Sequence, residues 1–257
     1  MTLLKAACRW VALLFLAGLL LISLTLLLFR YINPPTTAFI LTWQIENRTG
    51  VEQEWVPLED ISPWMPLAVI ASEDQRFLEH WGLDLDAIAT AVDAFREGDS
   101  LRGASTITQQ TAKNLFLWSG RSYFRKGLEA ALALGLEGLW SKRRIMEVYL
   151  NVAEFGPGIY GVEAASRAHF GIKASQLTAE QAARLAAVLP NPRVYNAAAP
   201  SDYIWRRVSW IRAQMGQLGG AGPGPAVLLR TTSTSAGWFL PIVQYFFLEM
   251  PEYRDSN

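Results

Sequence analysis

The sequence predicts a mainly α-helical protein, with one N-terminal transmembrane helix ahead of a single helical domain. Three observations carry this reading. Residues 10–29 form an unbroken, uncharged, Leu-rich run. Beyond Pro63, apolar segments tend to start at Ser, Thr or Asp and to stop at Gly or Pro. Alternation of the β type is almost absent, and no long-range repeat is visible.

As a helix, the first run would be about 30 Å long, the thickness of a hydrocarbon core. It ends in LLLFRYINPP, which lacks the small-residue site of a cleavable signal, so an uncleaved anchor is expected. Lys5 and Arg9 precede the run and Arg30 alone follows it. This asymmetry predicts a cytoplasmic flank at 1–9 and an exported chain after Arg30. The single cysteine, Cys8, lies on the cytoplasmic flank, which leaves the exported part without disulfides or thiol chemistry. With only two histidines, His80 and His169, a zinc site is not expected.

Residues 30–60 read as a connector. Asn33-Pro34-Pro35 breaks any helix, and residues 39–43 suit an extended stretch. The domain proper is placed at 61–220. Helices are expected at 65–77, with Glu73 near the end, and at 84–94, followed by a loop at 97–100. The next helix is capped by Ser105 and ends at the Ser119-Gly120 break. Ser122 caps a helix to about residue 140, and Ser141 restarts one through residue 150. Residues 151–160 form a Gly/Pro loop. Helices at 161–170 and 178–189 follow, stopped by Pro190-Asn191-Pro192. A last helix covers 203–218. Residues 221–257 are a tail: a Gly/Pro/Ser/Thr linker, then an apolar stretch at 238–250 too short to span a bilayer. That stretch either rests on the membrane or the domain, or is a partly ordered tail.

The most informative string is GASTITQQTAKN at 103–114. On a helix, Ser105, Thr106, Gln109, Gln110, Lys113 and Asn114 fall within one half of the circumference. Hydroxyls and carboxamides with one cation suit sugar hydroxyls and an anion better than an ordinary solvated face, which would be rich in Glu and Lys. Glu73-Asp74 follows an apolar stretch. There a partly desolvated carboxylate is a usable general base, although an acidic surface turn has the same sequence. Arg125 and Glu129 share a helix face next to Lys126. They read either as a surface ion pair or, with Lys113 and Arg121, as a diphosphate site. Residues 115–118, Leu-Phe-Leu-Trp, are either core or a membrane-dipping patch. There is no phosphate-binding G-x-x-x-x-G-K-[ST] loop and no dinucleotide fingerprint. No S-x-x-K or K-T-G occurs either, which removes transpeptidase chemistry.

In their order these motifs resemble the peptidoglycan glycosyltransferase family (glycosyltransferase family 51). The resemblance runs from about Ile61 to Gly220. Its motifs are Glu73-Asp74 with Phe77, His80 and Gly82; Gly103, Ser105-Thr106-Ile107, Gln109-Gln110 and Lys113-Asn114; Arg125-Lys126 with Glu129; Lys142, Ile145, Glu147 and Tyr149-Leu150-Asn151; and Gly161-Val162 through Phe170-Gly171. The resemblance implies a lysozyme-like helical fold with a smaller membrane-contacting lobe. It implies polymerisation of lipid II into β-1,4-linked glycan strands, with inversion and release of undecaprenyl diphosphate, at the outer face of a bacterial inner membrane. Glu73 would be the base and Glu129 would sit beside the donor diphosphate. Lys113, Arg125 and Lys126 would stabilise the leaving charge, and Asp74, Phe77, His80, Ser105, Thr106, Gln109, Gln110 and Asn114 would complete the substrate site. No cofactor is required by this scheme, although a divalent cation such as Mg2+ at the diphosphate is compatible with it. Partners would be lipid II, the growing strand, the membrane and other cell-wall synthesis proteins, but no nucleic acid. Gly127, Gly135 and Gly138 depart from the family, which has better helix formers there; Ala168-His169 and the tail depart as well. The rival readings are a lytic, glycan-cleaving enzyme of related architecture and an inactive membrane-anchored scaffold.

Overall fold

The computed structural model describes residues 2–96, 105–120 and 122–219. The expected loop at 97–100, Gly103, Arg121 and the 221–257 tail lie outside the described residues.

Helix α1 (Thr2–Tyr31) contains the apolar run, and its segment Lys5–Tyr31 is long and apolar enough to cross a membrane. The stretch at 39–43 is not extended as expected but lies in α2 (Ala38–Asn47). The hydroxyl of Thr37 accepts the Ile40 N–H at 3.1 Å. This cap satisfies an orphan donor and outweighs the strand preference of Phe39, Ile40 and Trp43. Strand β1 (Glu52–Gln53) and a 3-10 turn at Leu58–Asp60 follow. Residues 30–60 are therefore built into the domain, not strung beside it. The Asn151 side chain accepts the Val56 N–H and donates to the Val56 carbonyl, both at 2.9 Å.

Helix α3 (Trp64–Glu73) is buried along its whole middle, Met65 to Ala71. It stops at Glu73, short of the expected residue 77, where Asp74 leaves helical geometry at φ −163°. Helix α4 (Leu85–Arg96) starts where Asp84 Oδ1 accepts the Ala87 N–H at 2.9 Å. Helix α5 (Ile107–Phe116) is capped by Thr106, not by Ser105. Thr106 and Gln109 form a reciprocal capping box, at 3.1 and 3.0 Å. Ser122 caps α6 (Tyr123–Leu139) and Ser141 caps α7 (Lys142–Val152), as expected.

The expected loop at 151–160 is instead the end of α7 and a hairpin of β2 (Glu154–Gly156) and β3 (Ile159–Tyr160). Strand β3 lies centrally, antiparallel to β2 and parallel to β1. Strands this short carry no readable alternation. At Gly161 φ is +82°, and a Cβ would sit 2.8 Å from the Asn151 carbonyl oxygen, so only glycine fits. Helices α8 (Val162–Phe170), α9 (Ala179–Val188) and α10 (Asp202–Gly219) complete the described residues.

Two helix groups make the core. Helix α3 packs against α9 and α10, and α5 packs against α6 and α7. The apolar helix joins the second group, since α1 packs on α6. A Cβ on Gly135 would lie 2.9 Å from Leu26 Cδ1, which accounts for one of the unexpected glycines. Trp140 Nε1 donates to the Leu26 carbonyl at 2.7 Å. Arg144 donates to the carbonyls of Phe29 and Ile32, capping the C-terminal end of α1. Burial lowers the pKa of Arg144, against the pull of Glu147. The ring of Phe116 stacks on Phe29 of the apolar run, with centroids 6.3 Å apart, and so packs against α1.

Candidate active site

Glu73 ends α3 where the two helix groups meet. Its side chain is 13% exposed. Oε1 accepts from Ser72 Oγ at 2.8 Å and from a guanidinium nitrogen of Arg207 on α10 at 3.3 Å. Oε2 accepts from Gln110 Nε2 of α5 at 3.1 Å. Gln110 is held in turn by the Tyr149 hydroxyl, which donates to its Oε1 at 3.1 Å. Burial first, then the charges of Glu73 and Asp74, raise the Tyr149 pKa well above its ordinary value. That phenol remains a donor at any working pH. The surroundings of Glu73 are thus oriented donors, where the sequence suggested simple desolvation at an apolar helix end.

A second centre lies on α6. The buried carboxylate of Glu129 accepts from Arg125 at 2.7 Å and from Lys126. Lys126 Nζ also donates to Ser105 Oγ at 2.7 Å, which gives Ser105 its place even though it caps nothing. Arg125 and Glu129, expected on one helix face, are joined, and the neighbouring Lys126 reaches the same carboxylate. Lys113, one turn beyond Gln110 on α5, lies within the fields of both centres. Burial lowers its pKa; Glu129 opposes this, Arg125 and Lys126 add to it, and Glu73 opposes it. The ammonium also sits 5.3 Å from the Phe39 ring centroid.

The other expected substrate residues are buried or have internal partners. Asp74 accepts the Ile107 N–H at the start of α5 at 3.0 Å, and its other oxygen lies 2.8 Å from His80 Nε2. A carboxylate at a helix N-terminus is also favoured by the helix dipole. Phe77 is fully buried, with the Lys142 ammonium 4.6 Å from its ring centroid. Thr106 and Gln109 are buried in the capping box, and Thr106 Oγ1 donates to the Gly82 carbonyl at 2.6 Å. Asn114 is also buried. Asp74 and Thr106 therefore tie the end of α3 and the turn after it to the start of α5, with His80 paired to Asp74 and Gln109 to Thr106. Glu73, Ser105, Gln110, Lys113 and Lys126, by contrast, are only partly buried.

Several contributors gave no sequence signal. Arg207 stands in an ordinary amphipathic helix, and nothing in its spacing ties it to Glu73. Glu137 is buried on α6, where it accepts from Thr108 at 2.6 Å and from Lys142 at 2.7 Å; Lys142 also donates to the His80 carbonyl. Burial lowers the Lys142 pKa, against the attraction of Glu137. Among the described residues, no group of three or more His, Cys, Asp or Glu is placed to hold a metal ion.

Chemically, the arrangement offers an oriented carboxylate at one end and, at the other, a buried carboxylate paired with two cations, with the charge of Lys113 acting on both. Comparison with known proteins agrees in kind. A family model described as "Transglycosylase" matches residues 41–216. The chain is 58% identical over 201 residues to a biosynthetic peptidoglycan transglycosylase of Marinomonas sp., covering 78% of this chain and 88% of that one. A protein of the same name from Cronobacter sakazakii is 55% identical over 203 residues, covering 77% and 84%. One from Pseudomonas fluorescens is 52% identical over 203 residues, covering 77% and 85%.

Proposed function

The chain belongs to the transglycosylase family, and from that premise we propose that it polymerises lipid II into linear glycan strands for the bacterial cell wall. The observation that carries the reading is the pairing of Glu73, an oriented and partly exposed carboxylate, with the cation cluster Lys113, Arg125 and Lys126. Glu73 takes the proton from the 4-hydroxyl of the acceptor GlcNAc. The oxygen attacks the anomeric carbon of the donor strand, and undecaprenyl diphosphate departs with the bonding electrons. Attack opposite the leaving group converts an α-linked diphosphate into a β-1,4 bond. The cations stabilise the charge that develops on the leaving oxygen. Glu129 keeps Arg125 and Lys126 together at that point.

Mg2+ at a diphosphate usually has one or two carboxylate ligands besides phosphate oxygens. Glu129 accepts one hydrogen bond on each oxygen, from Arg125 and from Lys126, and keeps acceptor capacity for such an ion.

The substrate's polyprenyl chain holds its diphosphate at the bilayer surface, so the domain must sit on the membrane. Helix α1 is the single-pass anchor, with its N-terminus in the cytoplasm and the catalytic domain outside. The contacts of Trp140 and Arg144 with the end of α1 fix the domain close to the lipid. Beside Arg125 and Lys126, Tyr123 is 98% exposed and Phe124 71% exposed, and Trp118 is exposed nearby. These three rings are the membrane-dipping patch, in place of Phe116.

The experiment is incubation of the purified protein with labelled lipid II. Polymer and released undecaprenyl diphosphate are expected. Shortening of added glycan strands without polymer would instead point to the lytic reading.

A further inference from the structure

The hydrogen bonds around Glu73 leave its two oxygens unequal. A carboxylate oxygen has about two acceptor sites. On Oε1 both are taken, by Ser72 Oγ at 2.8 Å and by Arg207 at 3.3 Å. On Oε2, among the described residues, Gln110 takes one at 3.1 Å. The same guanidinium nitrogen of Arg207 also donates to Ser72 Oγ at 3.0 Å, so Arg207, Ser72 and Oε1 close a small ring. Arg207 is, among the described residues, the one cation in hydrogen-bond contact with Glu73.

These bonds leave Arg207 incompletely satisfied. Its Nε is buried and without a partner. A buried unpaired donor is costly, and such costs collect at functional sites. Helix α10 is held in register with the end of α3 by a further contact, Gln75 Nε2 to Gln214 Oε1 at 3.1 Å.

We propose that Arg207 is a positioning residue that occupies Oε1 of Glu73 and so reserves Oε2 as the proton-accepting atom. The proposal rests on the reading of Glu73 as the general base. In the transfer step the acceptor O–H bond breaks and an Oε2–H bond forms. The freed electron pair makes the new C–O bond, and the old C–O bond leaves with its pair on the diphosphate. Glu73 is then neutral beside an uncompensated Arg207 cation. The proton then passes to water, which returns the base to its starting state.

The test uses the full-length protein in detergent with labelled lipid II, and the variants Arg207→Ala, Arg207→Gln, Arg207→Lys and Glu73→Gln. Misplacing a reacting group costs up to about 10²-fold, so Arg207→Ala and Arg207→Gln are expected to lose kcat on that order. KM should stay within about threefold, because only the reacting geometry changes. Arg207→Lys should recover part of the rate. Added guanidinium ion should partly restore Arg207→Ala but not Glu73→Gln. Thermal melts by circular dichroism should match the wild type. Full activity of Arg207→Ala or Arg207→Gln beside an inactive Glu73→Gln would overturn the proposal and leave the base intact. So would a loss that tracks a lowered melting temperature and that neither Lys nor guanidinium relieves. An active Glu73→Gln would remove the base itself, and the proposal with it.

Discussion

Gln110 joins Tyr149 to Glu73: its Nε2 donates to Glu73 Oε2 and its Oε1 accepts from the Tyr149 hydroxyl, both at 3.1 Å. A carboxamide can do both at once, whereas a carboxylate has no donor and a lysine no acceptor. The amide is thus a one-way link from a rigid core phenol to the reacting atom. Gln110→Ala frees Glu73 Oε2 and leaves the Tyr149 hydroxyl unpaired. Its kcat is expected to fall by about tenfold or more, since small misplacements of a reacting group are costly. Tyr149→Phe removes only the far end of the link and should stay within about threefold. Steady-state polymerisation rates check both, and equal effects would show that Gln110 does not act through orientation.

Lys126 and Arg143 separate a reacting charge from a surface charge. Lys126 reaches Glu129 and Ser105, while Arg143 pairs with the exposed Glu59. Removing one preorganised donor from a developing oxyanion typically costs about 10²–10³-fold, and Lys126→Ala should approach that range. Exposed ion pairs contribute about 0–1 kcal/mol, so Arg143→Ala should change the rate by less than about threefold. Equal losses in the two variants would reduce the cluster to ordinary surface charge.

The two glycines Gly127 and Gly135 of α6 should respond oppositely to substitution. A Cβ on Gly127 meets nothing within 4 Å, whereas one on Gly135 meets Leu26 Cδ1 at 2.9 Å. Gly127→Ala should raise stability by about 0.5–1 kcal/mol through helix propensity. Gly135→Phe should lower it by about 1–3 kcal/mol, as overpacking does, because the ring has to displace α1. Melting curves of the full chain in detergent measure both. A tolerated Gly135→Phe would mean that α1 is not docked on α6.

The aromatic patch can be addressed through the lone cysteine. Cys8→Ser together with Tyr123→Cys leaves one thiol, beside Phe124, for a fluorescent probe. In proteoliposomes a quencher carried on lipid should dim that probe, and iodide in the water should not. The reverse pattern would take Tyr123 and Phe124 off the membrane.

The helices and most of their starts were legible because caps are local. Ser122 and Ser141 announce α6 and α7 within the span of one turn. Thr37 and Thr106 are equally local, but each competes with a neighbouring signal. The Phe39–Trp43 stretch looks like a strand, and Ser105 looks like a cap. The β2–β3 hairpin escaped because so few residues show no period. In the site, Glu73, Lys113, Arg125, Lys126 and Glu129 were legible because reactive or clustered charge stands out in sequence. The division of the motif residues into partly buried ones and those enclosed in the frame was not. Asp74 and Thr106 look like substrate ligands until the N-terminus of α5 and the Gly82 carbonyl appear as their partners. Arg207 was illegible altogether, since it meets Glu73 only through the packing of α10 on α3.

The account stands most directly on the role of Glu73, and the measurement is the initial rate of glycan formation from labelled lipid II by wild type and by Glu73→Gln. Gln keeps the shape of the side chain but cannot take a proton. Loss of a general base costs about 10²–10⁴-fold, and a fall in that range with lipid II still bound is the expected result. A Glu73→Gln rate within about threefold of wild type, far short of what loss of a base removes, would contradict it.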